Sequence, residues 1–152
     1  TLSERVAKAA EIANGSGEQF LCWAELNDES KSLTAAIPGA VEITGSDSVK
    51  HHEQAILDFA DGKTRVLVTK AAIAGMGVNL QGAHNQIFVG IGHSHESRYQ
   101  AIRRMYRFGQ KHQVNVHQVY TSADGSIAAN LARKQRDHDT MVANMIGAMS
   151  EV

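Results

Sequence analysis

Thr64-Arg65-Val66-Leu67-Val68-Thr69-Lys70-Ala71-Ala72-Ile73-Ala74-Gly75-Met76-Gly77-Val78-Asn79-Leu80-Gln81 is the stretch whose reading decides the fold. It opens on a run, Thr64–Thr69, that is nearly continuous in apolar residues. Such a run is expected of a strand covered on both faces in a parallel sheet. The strand ends in Thr69-Lys70, which sets a hydroxyl and an ammonium at its tip. Gly75-x-Gly77 then removes side chains where backbone must approach a ligand or take positive φ. Asn79 can bridge a ribose hydroxyl or a loop backbone. A Gly-x-Gly alone is equally a plain turn, so the surroundings must decide.

Outward from this segment the same grammar repeats. β-rich runs lie at Phe20–Ala24, Ala40–Thr44, Gln86–Gly90 and Val114–Thr121. Helical patterns fill the spaces between them. Leu2–Asn14 carries Val6, Ala9, Ala10 and Ala13 at helical spacing and ends at Gly15. Glu29–Ile37 follows a cap at Asp28 and stops before Pro38. Val49–Ala60 follows Asp47 or Ser48 and closes at Asp61-Gly62. Ser97–Phe108 is a fourth helix, and a long one is expected from about Ser126. Alternation of this kind predicts an α/β domain with a central, mainly parallel sheet. Ligands in such sheets bind at the carboxyl ends of the strands. Nothing resembling a linker, an internal repeat or a low-complexity segment divides residues 1–152, so one domain is expected.

The fourth helix holds the strongest chemical signal, Gln100-Ala101-Ile102-Arg103-Arg104-Met105-Tyr106-Arg107-Phe108-Gly109-Gln110. Positions i and i+3 share a helix face, so Arg104 and Arg107 are expected to point at one place. Guanidinium is always charged and offers a planar fork of donors that matches phosphate oxygens. Two forks beside a Gly turn suit a polyphosphate, in the manner of an arginine finger. A solvated basic face is the bland alternative. The surrounding charge is one-sided: Arg98, Arg103, Arg104, Arg107 and Lys111 fall between Ser97 and Ala123, with no Asp or Glu. A local patch of this sort can bind phosphates although the chain's net charge is only -1.

Gln-Ala-x-x-Arg-x-x-Arg-x-Gly-Gln resembles the last signature motif, motif VI, of the superfamily-two helicases, and its closing Gly-Gln is typical of Swi/Snf-type DNA translocases. The stretch from Thr69 to Gln81 resembles motif V of the same group, with two more residues between Thr and Gly than the common form. That longer loop looks like the small Swi/Snf-like helicases of phages and mobile elements. Trp23-Ala24-Glu25-Leu26-Asn27-Asp28-Glu29 resembles motif IV, which opens the second lobe. Thr44-Gly45-Ser46-Asp47-Ser48 is similar to the Gly-Ser turn that follows the second strand in that family, and it also reads as a helix N-cap. The resemblance runs from Phe20 to about Lys134. Tyr106 departs from it, standing where eukaryotic remodellers usually have His.

The resemblance implies a RecA-like three-layer fold and a role for each motif. Arg104 and Arg107 become the catalytic arginines, Arg107 as the finger. Gly75, Gly77, Asn79 and Gln100 become nucleotide-side residues, with Gln100 orienting the arginine helix or touching the nucleotide. Gly45, Ser46, Thr69 and Lys70 become contacts to the DNA backbone. The implied substrate is ATP with Mg2+. The metal belongs to the first RecA-like lobe, because this chain has no Gly-x-x-x-x-Gly-Lys-Ser/Thr loop and no Asp-Glu-x-His motif. The implied partners are duplex DNA and that first lobe of the same polypeptide. Taken alone, this chain is expected to hydrolyse no ATP.

The remaining composition bounds the reading. Hydrophobic residues make up 43% and charged residues 20%, ordinary for a soluble globular domain. The single Cys22 lies in an apolar run and has no internal disulfide partner, as expected of a buried thiol in a reducing compartment. Eight histidines include the close pairs His51-His52 and His93-x-His95, but no cysteine pair supports a zinc site, and no metal is expected. No apolar run approaches membrane-spanning length. The chain starts at Thr1 and opens directly on a helix, so a fragment of a larger protein is expected. Its setting is expected to be the cytoplasm of a bacterial or phage-infected cell, in association with the nucleoid. Two other functions remain open: a non-catalytic nucleic-acid-binding or regulatory module on the same fold, and, ranked last, a small-molecule enzyme, which lacks a nucleophile–base pair.

Overall fold

Five strands form one all-parallel sheet in the order β2-β3-β1-β4-β5. They are β1 (Phe20–Ala24), β2 (Ala40–Glu42), β3 (Val66–Lys70), β4 (Asn85–Val89) and β5 (Asn115–Val119). The structure, a computed structural model, describes residues 2–70, 80–90 and 92–121 together with 133 and 136. Gly75, Gly77, Asn79, the loop from Ala71 to Ala74 and, apart from residues 133 and 136, which are helical, the helix expected from about Ser126 lie outside the described residues.

The period-2 alternation of strand side chains divides the core into two layers. Phe20, Cys22 and Ala24 of β1 face one side with Val66 and Val68 of β3, against Val6, Ala9 and Ala13 of α1 (Leu2–Asn14) and Leu33 of α2 (Asn27–Ala36). Leu21 and Trp23 face the other side with Leu67 and Phe88. They pack on Ile56 and Phe59 of α3 (Val49–Ala60) and Ala101 of α4 (His95–Arg103). β1, β3 and β4 are therefore buried on both faces, apart from Lys70 at the end of β3. This accounts for their consecutive apolar residues, Phe20–Ala24 in β1, 66–68 in β3 and 87–89 in β4.

Two helices differ from expectation. α2 starts at Asn27, and Asp28 is not its cap. The N-cap position is Leu26, whose side chain makes no capping bond. Glu29 supplies the missing acceptor by reaching back to the Glu25 amide at 2.9 Å. Glu29 is fully buried and receives Arg5 Nε and Nη2 of α1, both at 3.1 Å, so the same carboxylate fastens α1 to α2.

α4 runs from His95 to Arg103, not from Ser97 to Phe108. Ser94 caps its start, accepting from the Ser97 amide at 3.1 Å. Its end tightens into i→i+3 bonds, Arg104 N to Ala101 O and Met105 N to Ile102 O. Arg104 is thus the C-cap residue, and Arg107 lies in the turns beyond. The expectation of two arginines on one helical face is corrected accordingly. Three contacts from outside the helix take up its last carbonyls. Gln86 Nε2 donates to Ala101 O, the Leu80 amide to Arg104 O, and Gln110 Nε2 to Met105 O.

Candidate nucleic-acid and nucleotide interfaces

Each site residue can be placed by the edge of the sheet it occupies. β1 and β4 are neighbours, and their outgoing helices, α2 and α4, cover opposite faces. A crevice at their carboxyl ends is the expected consequence. A cavity of about 250 Å³ opens there, lined by Ala24 and Glu25 after β1, Lys70 at the end of β3, and Gly92, His93, Ser94 and Ser97 around the start of α4. Glu25 Oε2 accepts from the Gly92 amide at 3.2 Å, and a Cβ on Gly90 or Gly92 would run into that carboxylate. His93 is buried, with Nε2 at 3.0 Å from Val89 O and its ring edge-on to Phe88.

A larger groove of about 540 Å³ adjoins it along the same edge, and Lys70 lines both. Its wall combines Asn27 and Lys31 of α2, Glu42 of β2, the turn Thr44 to Asp47, and Lys70. Lys70 Nζ is 3.0 Å from Asn27 Oδ1 and Lys31 is exposed. The two carboxylates of the groove are already engaged: Glu42 Oε2 accepts from Ser30 Oγ at 2.6 Å and Asp47 Oδ2 from the Thr44 amide at 2.7 Å. That amide bond, the largest cause, holds the Asp47 carboxyl below its usual range.

Gly45 and Ser46 are exposed at the tip of the turn, and their amides have no partner among the described residues. The turn itself is held from behind. His52 Nε2 lies 2.7 Å from Thr44 O and His51 Nε2 lies 2.9 Å from Glu42 O. Ser48 caps α3 by accepting from the His51 amide, so capping falls to Ser48 and the turn before it stays free. Free amides, a hydroxyl and two ammonium groups along one groove suit the oxygens of a phosphodiester chain.

Thr69 sits differently from Lys70. Its side chain is buried on the α3/α4 face and Oγ1 has no hydrogen-bond partner among the described residues. The structure does not bring it into the groove with Gly45, Ser46 and Lys70.

Arg104 and Arg107 stand at the other edge. α4 starts beside the carboxyl ends and returns to the amino ends, where β5 begins opposite β4. Arg104 is half-buried and Arg107 exposed, and no carboxylate among the described residues pairs with either. Their backbone is well fixed. Besides the three captured carbonyls, Gln110 Nε2 also donates to Ala83 O at 3.0 Å, and Gly109 takes φ 96°, which favours glycine. Tyr106 and Phe108 are exposed beside Arg107. Gln100 is exposed one turn before Arg104 on α4.

Arg98 takes no place at this edge. It lies over the Phe88 ring, 4.8 Å from the centroid, and bonds Gln118 Oε1; burial lowers its pKa. The sequence reading gives Asn27, Lys31, Gln86 and Gln110 no site role, although Asn27 and Gln110 stand inside its motif stretches. Asn27 and Lys31 had a visible signal, being polar and one helical turn apart just after a strand end.

Among the described residues no group of three His, Cys, Asp or Glu could hold a metal ion. No described helix is long and apolar enough to cross a membrane.

A three-layer, all-parallel α/β domain with polar grooves at one edge of the sheet and an arginine turn at the other is RecA-like in architecture. Residues 4–109 match the helicase conserved C-terminal domain family, and the chain belongs to that family. No curated protein matches it. It is similar to a solved structure described as "Crystal structure of the C-terminal part of Fun30 ATPase domain", with a TM-score of 0.64 and 21% identity over 83% of this chain. The match spans 42% of that structure's chain.

Proposed function

We propose that the chain is the second motor lobe of an ATP-dependent DNA helicase or translocase of Swi/Snf type, resembling those of phages and mobile elements. It is one domain, 1–152, of a larger protein whose first RecA-like lobe binds ATP and holds Mg2+. Arg107 reaches the γ-phosphate when the lobes close, and Arg104 steadies the nucleotide or the closed interface. The groove of Lys70, Lys31, Gly45 and Ser46 grips the backbone of duplex DNA. Such a motor works in the cytoplasm on the nucleoid or on phage DNA. Gly75, Gly77, Asn79 and Gln100 belong to the nucleotide side by resemblance to the family.

One observation carries the reading. A motif VI turn holds two arginines whose guanidiniums have no carboxylate partner among the described residues, while the backbone beneath them is fixed by Gln86, Leu80 and Gln110. Donors held in place before charge develops are what transition-state stabilisation requires.

The test is ATP hydrolysis by the full-length protein, with and without duplex DNA, wild type against Arg107→Ala. The reading expects duplex-stimulated turnover that falls by about 10³–10⁵ in the variant, while DNA binding survives. Turnover indifferent to Arg107 would make the motif structural and favour the non-catalytic binding module.

A further inference from the structure

The buried hydrogen-bond chain behind the arginine turn does more than fill the core. Trp23 Nε1 of β1 donates to Gln86 Oε1 of β4 at 2.8 Å, and Gln86 Nε2 donates to Ala101 O of α4 at 3.0 Å. Trp23, Gln86 and Ala101 are all buried, Gln86 fully. A fully buried glutamine beside the apolar Ile87, Phe88 and Val89 of β4 is an expensive choice unless both ends of its amide are used. Here both are. Ala101 O is the acceptor of the Arg104 amide as well, at 3.2 Å, so the two bonds meet on one oxygen and fix where α4 stops.

We infer that Gln86 is a positioning residue for Arg104, acting through Ala101 O, with Trp23 orienting its amide. Gln86 touches neither arginine side chain. It sets the backbone from which Arg104 projects, and the Leu80 and Gln110 contacts continue that frame to residue 110. Trp23 is the chain's only tryptophan, so its indole N–H is a built-in reporter on the relay. The inference rests on the reading of Arg104 as a nucleotide-side residue.

The experiment uses the full-length protein carrying Gln86→Met, which keeps side-chain volume and removes both bonds. NMR follows the indole N–H of Trp23 and the backbone amide of Arg104, and steady-state assays give kcat and KM for ATP with duplex DNA. Expected are a shift of both resonances and a kcat loss of about tenfold or more at unchanged KM, within the roughly 10²-fold that a 1 Å misplacement produces. Arg104→Ala should then cost far less in the Gln86→Met background than in wild type. Trp23→Phe, which leaves the Ala101 bond in place, should lose less kcat than Gln86→Met. Gln86→Asn keeps an amide one methylene too short to bridge both partners. It replaces Gln86→Met should the latter not fold, with the same kcat loss expected. An unmoved Arg104 amide, or a kcat loss that adds to that of Arg104→Ala, overturns the inference. Should Arg104→Ala alone leave turnover untouched, it is the motor reading of Arg104 that fails. The relay is then decided by the Arg104 amide resonance, standing if it moves in the Gln86 variant and falling if it does not.

Discussion

The proposed grip on DNA is where charge can be counted, so Lys31 and Lys70 give the sharpest prediction. Both line the carboxyl-edge groove, whose carboxylates Glu42 and Asp47 are engaged by Ser30 and the Thr44 amide. Each phosphate neutralised by a lysine contributes about 0.9 to the slope of log K against log salt on duplex DNA. Lys31→Ala and Lys70→Ala should each flatten the slope by that amount, and the double variant by about 1.8. Between 50 and 200 mM salt, wild type should then lose roughly 3.5-fold more affinity than either single variant and roughly 12-fold more than the double. The assay is fluorescence anisotropy of a labelled duplex with the full-length protein across that salt range. Asn27→Ala is the control: it removes the partner of Lys70 Nζ but no charge, so the slope should hold even if affinity drops. A double variant that binds more weakly with an unchanged slope would refute the phosphate assignment.

Glu29→Ala strands Arg5 and the Glu25 amide in a part-buried site. Breaking a buried pair costs about 3–5 kcal/mol, and at about 2–4 °C per kcal/mol the melting temperature should fall by roughly 10 °C, with part returned by adding Arg5→Met. Calorimetry of the two variants decides it; a loss under a degree would mean the pair is superfluous. The Thr44 amide depresses the Asp47 pKa in the folded state, so its contribution is present above the ordinary carboxylate range near ~3.9 and disappears as pH falls through the lowered value. Wild type should therefore lose stability more steeply than Asp47→Asn in acid, and parallel curves of melting temperature against pH would contradict this. Burial pushes the Cys22 thiol up to about 12. Iodoacetamide at pH 8 should label it only in denaturant, as read by mass spectrometry, and rapid native labelling would mean that β1 opens.

The sheet could be read from the chain because its signal is local. Strands covered on both faces are rich in apolar residues, and β1, β3 and β4 carry consecutive apolar runs at Phe20–Ala24, 66–68 and 87–89. The errors fall where a remote group decides a local outcome. Apolar Ile102 and Met105 continue the periodicity of α4, and nothing nearby announces its end. The stop comes from Gln86, Leu80 and Gln110, of which Gln86 and Leu80 are 15 and 24 residues from their acceptors. The start of α2 was misread for a similar reason: Glu29 bonds backward to the Glu25 amide while answering Arg5 from another helix. Lys70, Gly45 and Ser46, which the motif pattern picked out, line one groove. The pattern could not separate Thr69 from Lys70, because alternation along a strand sends adjacent side chains to opposite faces.

The placement of the two sites also constrains how they can communicate. β3 rises about 3.3 Å per residue, so its five residues give the sheet a depth of roughly 13 Å between the edge that carries the lysine groove and the edge that carries the arginine turn. α4 spans that depth: its first turn lines the smaller cavity through Ser94 and Ser97, and its last residues lead into Arg104. α4 is fastened to the sheet by Arg98 on Phe88 and Gln118 and by Gln86 on Ala101 O. A helix held by these contacts to β4 and β5 resists bending to absorb a displacement at one end. A phosphate that shifts the lip of the cavity must therefore move α4 together with the sheet beneath it, and the arginine turn moves as part of the same body. On the proposed reading, coupling between DNA and nucleotide then reduces to the orientation of the whole lobe.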